Sequence, residues 1–152
     1  MKVVIQRVLR ASVTADGAPA GKCGRGLLLL VGVVRGDADA DAEILAAKIA
    51  KMRIFTDEAG KMNRSLLDNG GSVLAVSNFT LAADISHGNR PSFTDAEKPD
   101  DADRLYEYFC TQLRAEGVPV ETGVFGAEMR IDMTADGPVT ILADSEFWKT
   151  ER

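Results

Sequence analysis

A chain of 152 residues with 45% hydrophobic and 27% charged residues has the make-up of an ordinary globular domain and can bury one core without disulfides. Its longest apolar run, Leu27 to Val34, is broken by Gly32 and falls well short of a membrane span, and the opening residues lack the apolar stretch of a secretory signal, so a cytoplasmic protein without a membrane partner is expected. The net charge of −5 argues against a strongly anionic partner, yet residues 1–76 carry 11 Lys and Arg against 8 Asp and Glu while residues 77–152 carry 7 against 15, so a local basic face is compatible with the acidic whole.

The N-terminal third reads as two or three antiparallel strands. Val3, Val4, Ile5, Val8 and Val13 form one, and Leu27 to Val34 another, with turn signals at Asp16-Gly17 and Gly24-Arg25-Gly26. Asp37, Asp39 and Asp41 open a helix whose apolar face uses Leu45, Ile49 and Met52, and the basic Lys48, Lys51 and Arg53 suit its C-terminal dipole. That helix is expected to end near Phe55. Asp68-Asn69-Gly70-Gly71 is a turn, and residues 72–76 make a short strand running directly into Ser77. Residues 82–98 form a long loop rich in Gly, Asn, Pro and Ser. A second helix follows, with Pro99 in its first turn, Ala102, Leu105, Tyr106, Phe109 and Leu113 on one face, and Gly117 at its cap. Three strands are predicted beyond it, over residues 119–125, 128–134 and 139–142, the last two joined through Ala135-Asp136-Gly137-Pro138. No linker or repeat divides the chain. The order predicts one α+β domain over residues 1–152, a curved, barrel-like, mostly antiparallel sheet with two packed helices.

Several common chemistries lack their parts. The single histidine, His87, sits in a loop and is read as a surface residue, although any Ser-His-Asp arrangement would have to use it. Cys23 and Cys110 are far apart, in no metal-binding or redox spacing, and are read as buried, inert thiols. No metal and no cofactor is expected. Gly24-Arg25-Gly26 precedes a strand rather than a helix and carries no nucleotide-loop terminus. Asp100, Asp101 and Asp103 are explained by the dipole of a first helical turn. What remains is a strand end bearing two hydroxyls, Ser77 and Thr80, with no evident base beside either.

That strand end carries a resemblance. Ser77-Asn78-Phe79-Thr80-Leu81 resembles the Ser-Gln-Phe-Thr-Leu signature of the D-aminoacyl-tRNA deacylases, also called D-tyrosyl-tRNA deacylases. It is followed, as in that family, by Ala82-Ala83-Asp84, by Gly88-Asn89-Arg90-Pro91-Ser92-Phe93, by Val120-Glu121-Thr122-Gly123-Val124-Phe125-Gly126-Ala127, and by Asp136-Gly137-Pro138-Val139-Thr140. The likeness also includes Arg7-Val8 and Ala11 to Val13, and so runs over essentially the whole chain. Asn78 departs from the usual Gln; the amide is kept and its reach is shortened by one methylene.

The resemblance implies an editing hydrolase that removes D-amino acids, and glycine mischarged on tRNA(Ala), from the acceptor end of tRNA. It implies a homodimer in which Gly137-Pro138 is a cis peptide entering the active site of the other subunit. Backbone carbonyls there would exclude an L side chain and leave a D side chain or glycine free. By the same resemblance Ser77, Asn78, Phe79 and Thr80 form the catalytic strand end, and Gly137 and Pro138 the chirality gate; Arg7 either joins that gate by bracing the loop through its guanidinium fork or is a solvated strand residue. Two mechanisms remain open. Either Thr80 attacks the ester, or the amides of Phe79 and Thr80 stabilise the oxyanion while the tRNA 2′-hydroxyl activates water. Two other functions also remain open: a hydrolase of free D-amino-acid esters, and a non-catalytic tRNA-binding module.

Overall fold

The computed structural model describes residues 1–151. Its longest early element, β1 (Lys2–Ala15), is the strand against which three others pair. The first half of β1 runs antiparallel to β3 (Gly26–Gly32), and its second half runs antiparallel to β2 (Ala18–Cys23). Its other edge is taken along nearly the whole length by β8 (Met129–Asp144), also antiparallel.

The other two strands of this sheet pair in parallel. β6 (Ser72–Ser77) lies beside β3, and β7 (Val120–Thr122) lies beside β6. Parallel neighbours need a crossover, which α1 (Asp39–Lys51) and α3 (Pro99–Ala115) supply in turn. Both faces of β3 and β6 are therefore covered, which accounts for the unbroken apolar run at Leu27 to Val31. Leu27, Leu29, Val31, Val73 and Ala75 pack beneath the helices with Leu45, Ile49, Leu105 and Phe109. Leu28, Leu74 and Val76 point the other way, against Val8, Ala11, Val13 and Cys23. This second cluster fills the inside of a nearly closed barrel. The curl brings β7 back to β2 so tightly that a Cβ on Gly21 would lie 2.4 Å from the Thr122 carbonyl oxygen.

Strand β1 serves both clusters by changing phase. Val3 and Ile5 face the helices, whereas Val8, Ala11 and Val13 face the barrel interior. In a regular strand, odd and even residues keep opposite faces, so the change needs an irregularity. Val8 still obeys the alternation begun at Val3 and Ile5 whereas Ala11 and Val13 do not, so the irregularity lies after Val8, where the β1–β8 register shifts between Val8 and Arg10.

The structure corrects three details of the predicted elements. The first helix stops at Lys51, and Phe55 instead begins β4 (Phe55–Thr56), which pairs with β5 (Met62–Arg64). The turn before β6 includes a single helical turn, α2 (Leu66–Asn69), capped by Ser65 and closed by Gly70 at φ 65°. The two last predicted strands are one, because residues 136–139 leave the ladder and rejoin the same partner. Gln6 pairs with Thr140 and Val8 with Ala135, so two steps along β1 match five along β8 and three extra residues bulge out. The Gly137–Pro138 peptide bond within this bulge is cis.

Chain ends and α1 are joined by buried charge. The Met1 amino group donates to Asp37 Oδ1 at 2.7 Å and to Ser145 Oγ at 2.8 Å. Asp41, buried at the start of α1, accepts from the Ala38 amide at 2.8 Å and lies 3.0 Å from Lys149 Nζ. Burial opposes ionisation of the Asp41 carboxyl, but the Ala38 amide, the Ser145 hydroxyl and the Lys149 ammonium outweigh it and lower its pKa to about 2. Because the folded value lies below the ordinary 3.8, the stabilisation is complete above that value and is lost as pH falls through about 2. Asp41→Asn is expected to lower unfolding free energy by about 2 kcal/mol at pH 7. Urea denaturation across a pH series should show the gap to the parent closing towards pH 2; a gap of constant size would assign the effect to packing.

Candidate active site

The end of β6 and the turn after it are positioned by β3. The Asn78 amide donates to the Val31 carbonyl at 2.7 Å, and the chain then enters a 3₁₀ turn, Phe79–Ala82. Leu81 N donates to Asn78 O at 3.3 Å, and Ala83 N to Thr80 O at 3.1 Å. Gly32 makes this approach possible, since a Cβ there would meet Leu81 Cβ at 2.8 Å and Asn78 O at 3.1 Å. The first N–H groups of any helical turn lack internal acceptors. Here they belong to Phe79 and Thr80, and neither has an acceptor among the described residues. The Thr80 hydroxyl donates to Asn78 Oδ1 at 2.5 Å. Its partner is a neutral amide, which accepts a hydrogen bond without removing the proton.

Ser77, Asn78 and Phe79 open onto a cavity of about 710 Å³, whose walls include Leu30, Phe93, Tyr106, Phe125 and Met129. Its volume and mainly apolar lining are those of a small-molecule cleft. Phe79 is 59% exposed and meets Phe93 edge to face with ring centroids 5.1 Å apart. Tyr106 is fixed from beneath, its hydroxyl donating to the Ala75 carbonyl at 2.7 Å, and burial raises its pKa. Thr80 is exposed and does not line the cavity.

The three remaining predicted site residues gather elsewhere. Arg7, Gly137 and Pro138 are absent from the cavity wall of their own chain. Arg7 is buried, and its Nε donates to the Asp136 carbonyl at 3.2 Å while Nη1 donates to the Ile54 carbonyl at 2.8 Å. Gly137 has φ 131°, and a Cβ would lie 2.7 Å from the Val139 amide nitrogen, so this position requires glycine. Both Gly137 and Pro138 are exposed.

His87 lies with Ser86 and Asp84 in an exposed loop. Ser86 Oγ donates to Asp84 Oδ1 at 2.5 Å and stands 2.8 Å from His87 Nδ1. Asp84 thus holds the serine rather than the histidine, the reverse of a hydrolytic triad. The hydrogen bonds from the Ser86 hydroxyl and amide lower the pKa of Asp84. The two thiols are buried, and desolvation raises both, Cys110 to about 12.

Residues 4–144 match the family model described as D-Tyr-tRNA(Tyr) deacylase. The chain belongs to the D-aminoacyl-tRNA deacylase family. That family comprises ester hydrolases. The chain is 60% identical over 144 residues to the D-aminoacyl-tRNA deacylase of Ruegeria pomeroyi, covering 95% of this chain and 99% of the relative. It is 60% identical over 145 residues to that of Thermomicrobium roseum, covering 95% and 94%. Among solved structures, the c-Myc DNA Unwinding Element Binding Protein superposes with a TM-score of 0.88 at 38% identity, over 95% of this chain and 98% of the other. A structure described as "a probable eukaryotic D-amino acid tRNA deacylase" superposes at 0.81 with 18% identity, over 93% and 97%, and shares the α+β fold.

None of the wall residues Leu30, Phe93, Tyr106, Phe125 and Met129 is among the site residues expected from the sequence. Phe93 and Phe125 do fall inside the matching motifs, whereas Leu30, Tyr106 and Met129 read in sequence as core. Gly32→Ala is expected to push the Asn78 to Leu81 turn off β3. The variant should lose about 1 to 3 kcal/mol of stability, and its D-aminoacyl-tRNA deacylation should fall by more than its folded fraction, as measured by initial rates alongside thermal unfolding.

Proposed function

We propose that this chain hydrolyses the ester that joins a D-amino acid, or glycine mischarged on tRNA(Ala), to the terminal adenosine of tRNA, in the cytoplasm. The amides of Phe79 and Thr80 receive the oxyanion, the apolar cavity takes the 3′-terminal nucleoside, and the adjacent 2′-hydroxyl of the substrate activates water. The observation that carries this reading is the pair of amides, of Phe79 and Thr80, that have no acceptor among the described residues, the first of them on a cavity wall, beside a threonine whose hydroxyl is held by an amide and not by a base. Without a base, serine- or threonine-type attack lacks its proton acceptor. The substrate supplies a hydroxyl in the required place.

Thr80→Ala is expected to retain activity within about ten-fold of the parent, whereas loss of a true nucleophile costs on the order of 10³-fold or more. A tRNA ending in 2′-deoxyadenosine should be cleaved at least about 100-fold more slowly, the usual scale of a lost general acid–base contribution. Near-complete inactivity of Thr80→Ala in single-turnover deacylation would reverse the preference.

Selection by handedness needs a rigid obstacle in the cavity, and the proposed obstacle, Gly137 and Pro138, belongs to a second copy of the chain. Support comes from their exposure and from their absence at their own cavity. It comes also from the apolar residues left open along β8 and β1, namely Ile131, Met133, Leu142 at 70% exposure, and Leu9. A twofold dimer buries one such patch against its copy and passes a loop each way. An obstacle made of backbone rejects L side chains by clash and does not read side-chain identity. Leu142→Glu is expected to give a monomer in sedimentation analysis and to lose most deacylation; a dimeric variant of full activity would count against this arrangement.

A further inference from the structure

We infer that Asp136 is a positioning residue for the chirality gate, an assignment that rests on the proposed role of Gly137 and Pro138. A guanidinium removed from water needs acceptors for its donors and an opposite charge nearby. Arg7 is 9% exposed. Its Nη1 is held by the Ile54 carbonyl at 2.8 Å and by Thr56 Oγ1 at 3.5 Å, which ties one end of the fork to the β4–β5 hairpin. These acceptors are neutral. The other end meets Asp136 twice, through the carbonyl oxygen and through Oδ2, each 3.2 Å from Nε. Among the described residues Asp136 is the one carboxylate in ion-pair reach of Arg7.

A residue gripped at both its carbonyl and its side chain has its ψ and side-chain torsions fixed together, and the peptide plane that follows is fixed with them. That plane leads into Gly137, whose added Cβ would lie 3.5 Å from Arg7 Nη2. Asp136 is also approached by Arg25, whose Nη1 stands 3.9 Å from the same Oδ2. The backbone of Arg25 is anchored, since its carbonyl accepts from Ser72 N at 3.3 Å. The carboxylate therefore sits between a buried cation and an exposed one, and it links the bulge in β8 to the β4–β5 hairpin and to the β2–β3 turn. Arg7 supplies stiffness; Asp136 supplies the charge that sets where the bulge is pulled.

The test uses the full chain with Asp136→Ala and Asp136→Asn, and initial rates on D- and L-tyrosyl-tRNA resolved into kcat and KM. Hydrolysis of the L substrate relative to the D substrate is expected to rise at least about ten-fold in Asp136→Ala, the scale of one charge-assisted hydrogen bond. The rise should be smaller in Asp136→Asn, whose side-chain oxygen still accepts from Arg7. Adding Asp136→Ala to Arg7→Ala should raise the ratio little further, because the two act as a unit. A role in folding alone would lower both rates together and leave the ratio at the parent value, which overturns the assignment; if the Ala variant does not fold, the ratio in Asp136→Asn decides. Gly137→Ala separates the two levels of argument. If it raises the ratio while both Asp136 variants keep the parent value, Asp136 is not a positioning residue; if it also keeps the parent value, the gate reading fails.

Discussion

The β1–β8 ladder cannot run regularly and still satisfy both hydrophobic clusters, and the fold depends on how that conflict is resolved. Val3 and Ile5 are needed beneath the helices, and Val8, Ala11 and Val13 inside the barrel. A strand of strict alternation would keep Val8 inside the barrel and turn Ala11 and Val13 out of it. The register shift between Val8 and Arg10 restores their burial. A separate shift beside it, between Gln6 and Val8, leaves residues 136–139 of β8 without ladder partners, and these include Gly137 and Pro138. Arg7, at that point of β1, holds the exposed loop.

A second constraint acts at the other functional segment. β3 ends in glycine, and the chain leaving β6 uses the space that a side chain would fill. The turn that results leaves its first two amides without an acceptor among the described residues, so the free donors proposed for the oxyanion are backbone N–H groups. Backbone donors on a short turn anchored to a central strand are rigid, and rigidity of donors is what makes electrostatic stabilisation effective at a reacting carbonyl. Asn78 completes the turn by holding the Thr80 hydroxyl. This contact spans only two residues, a distance to which the shorter amide side chain is suited.

Much of this architecture was legible in the residues. The second helix was clear because Leu105, Tyr106, Phe109 and Leu113 recur at helical spacing between a proline and a glycine, and all four are buried. The strands of the N-terminal third followed from alternation and turn residues. The single strand β8 was not legible, because Gly-Pro between apolar runs is also the signature of a hairpin, and only the partner strand shows that the chain continues past it. The parallel pairings were hidden for a related reason: β6 and β7 are short, and their direction is set by the crossovers of α1 and α3. At the site, the hydroxyl-bearing strand end stood out by its motif. The cavity walls did not, since Leu30, Tyr106 and Met129 have the apolar character of any core residue. Nor did the acceptors of Arg7, two of which are main-chain carbonyls and leave no trace in residue type.

Gly137 and Pro138 belong to neither hydrophobic cluster, and both are exposed. Alterations confined to the tip of that bulge therefore remove almost no buried apolar surface. What limits change there is local sterics and not the core, since a Cβ on Gly137 would lie 2.7 Å from the Val139 amide nitrogen.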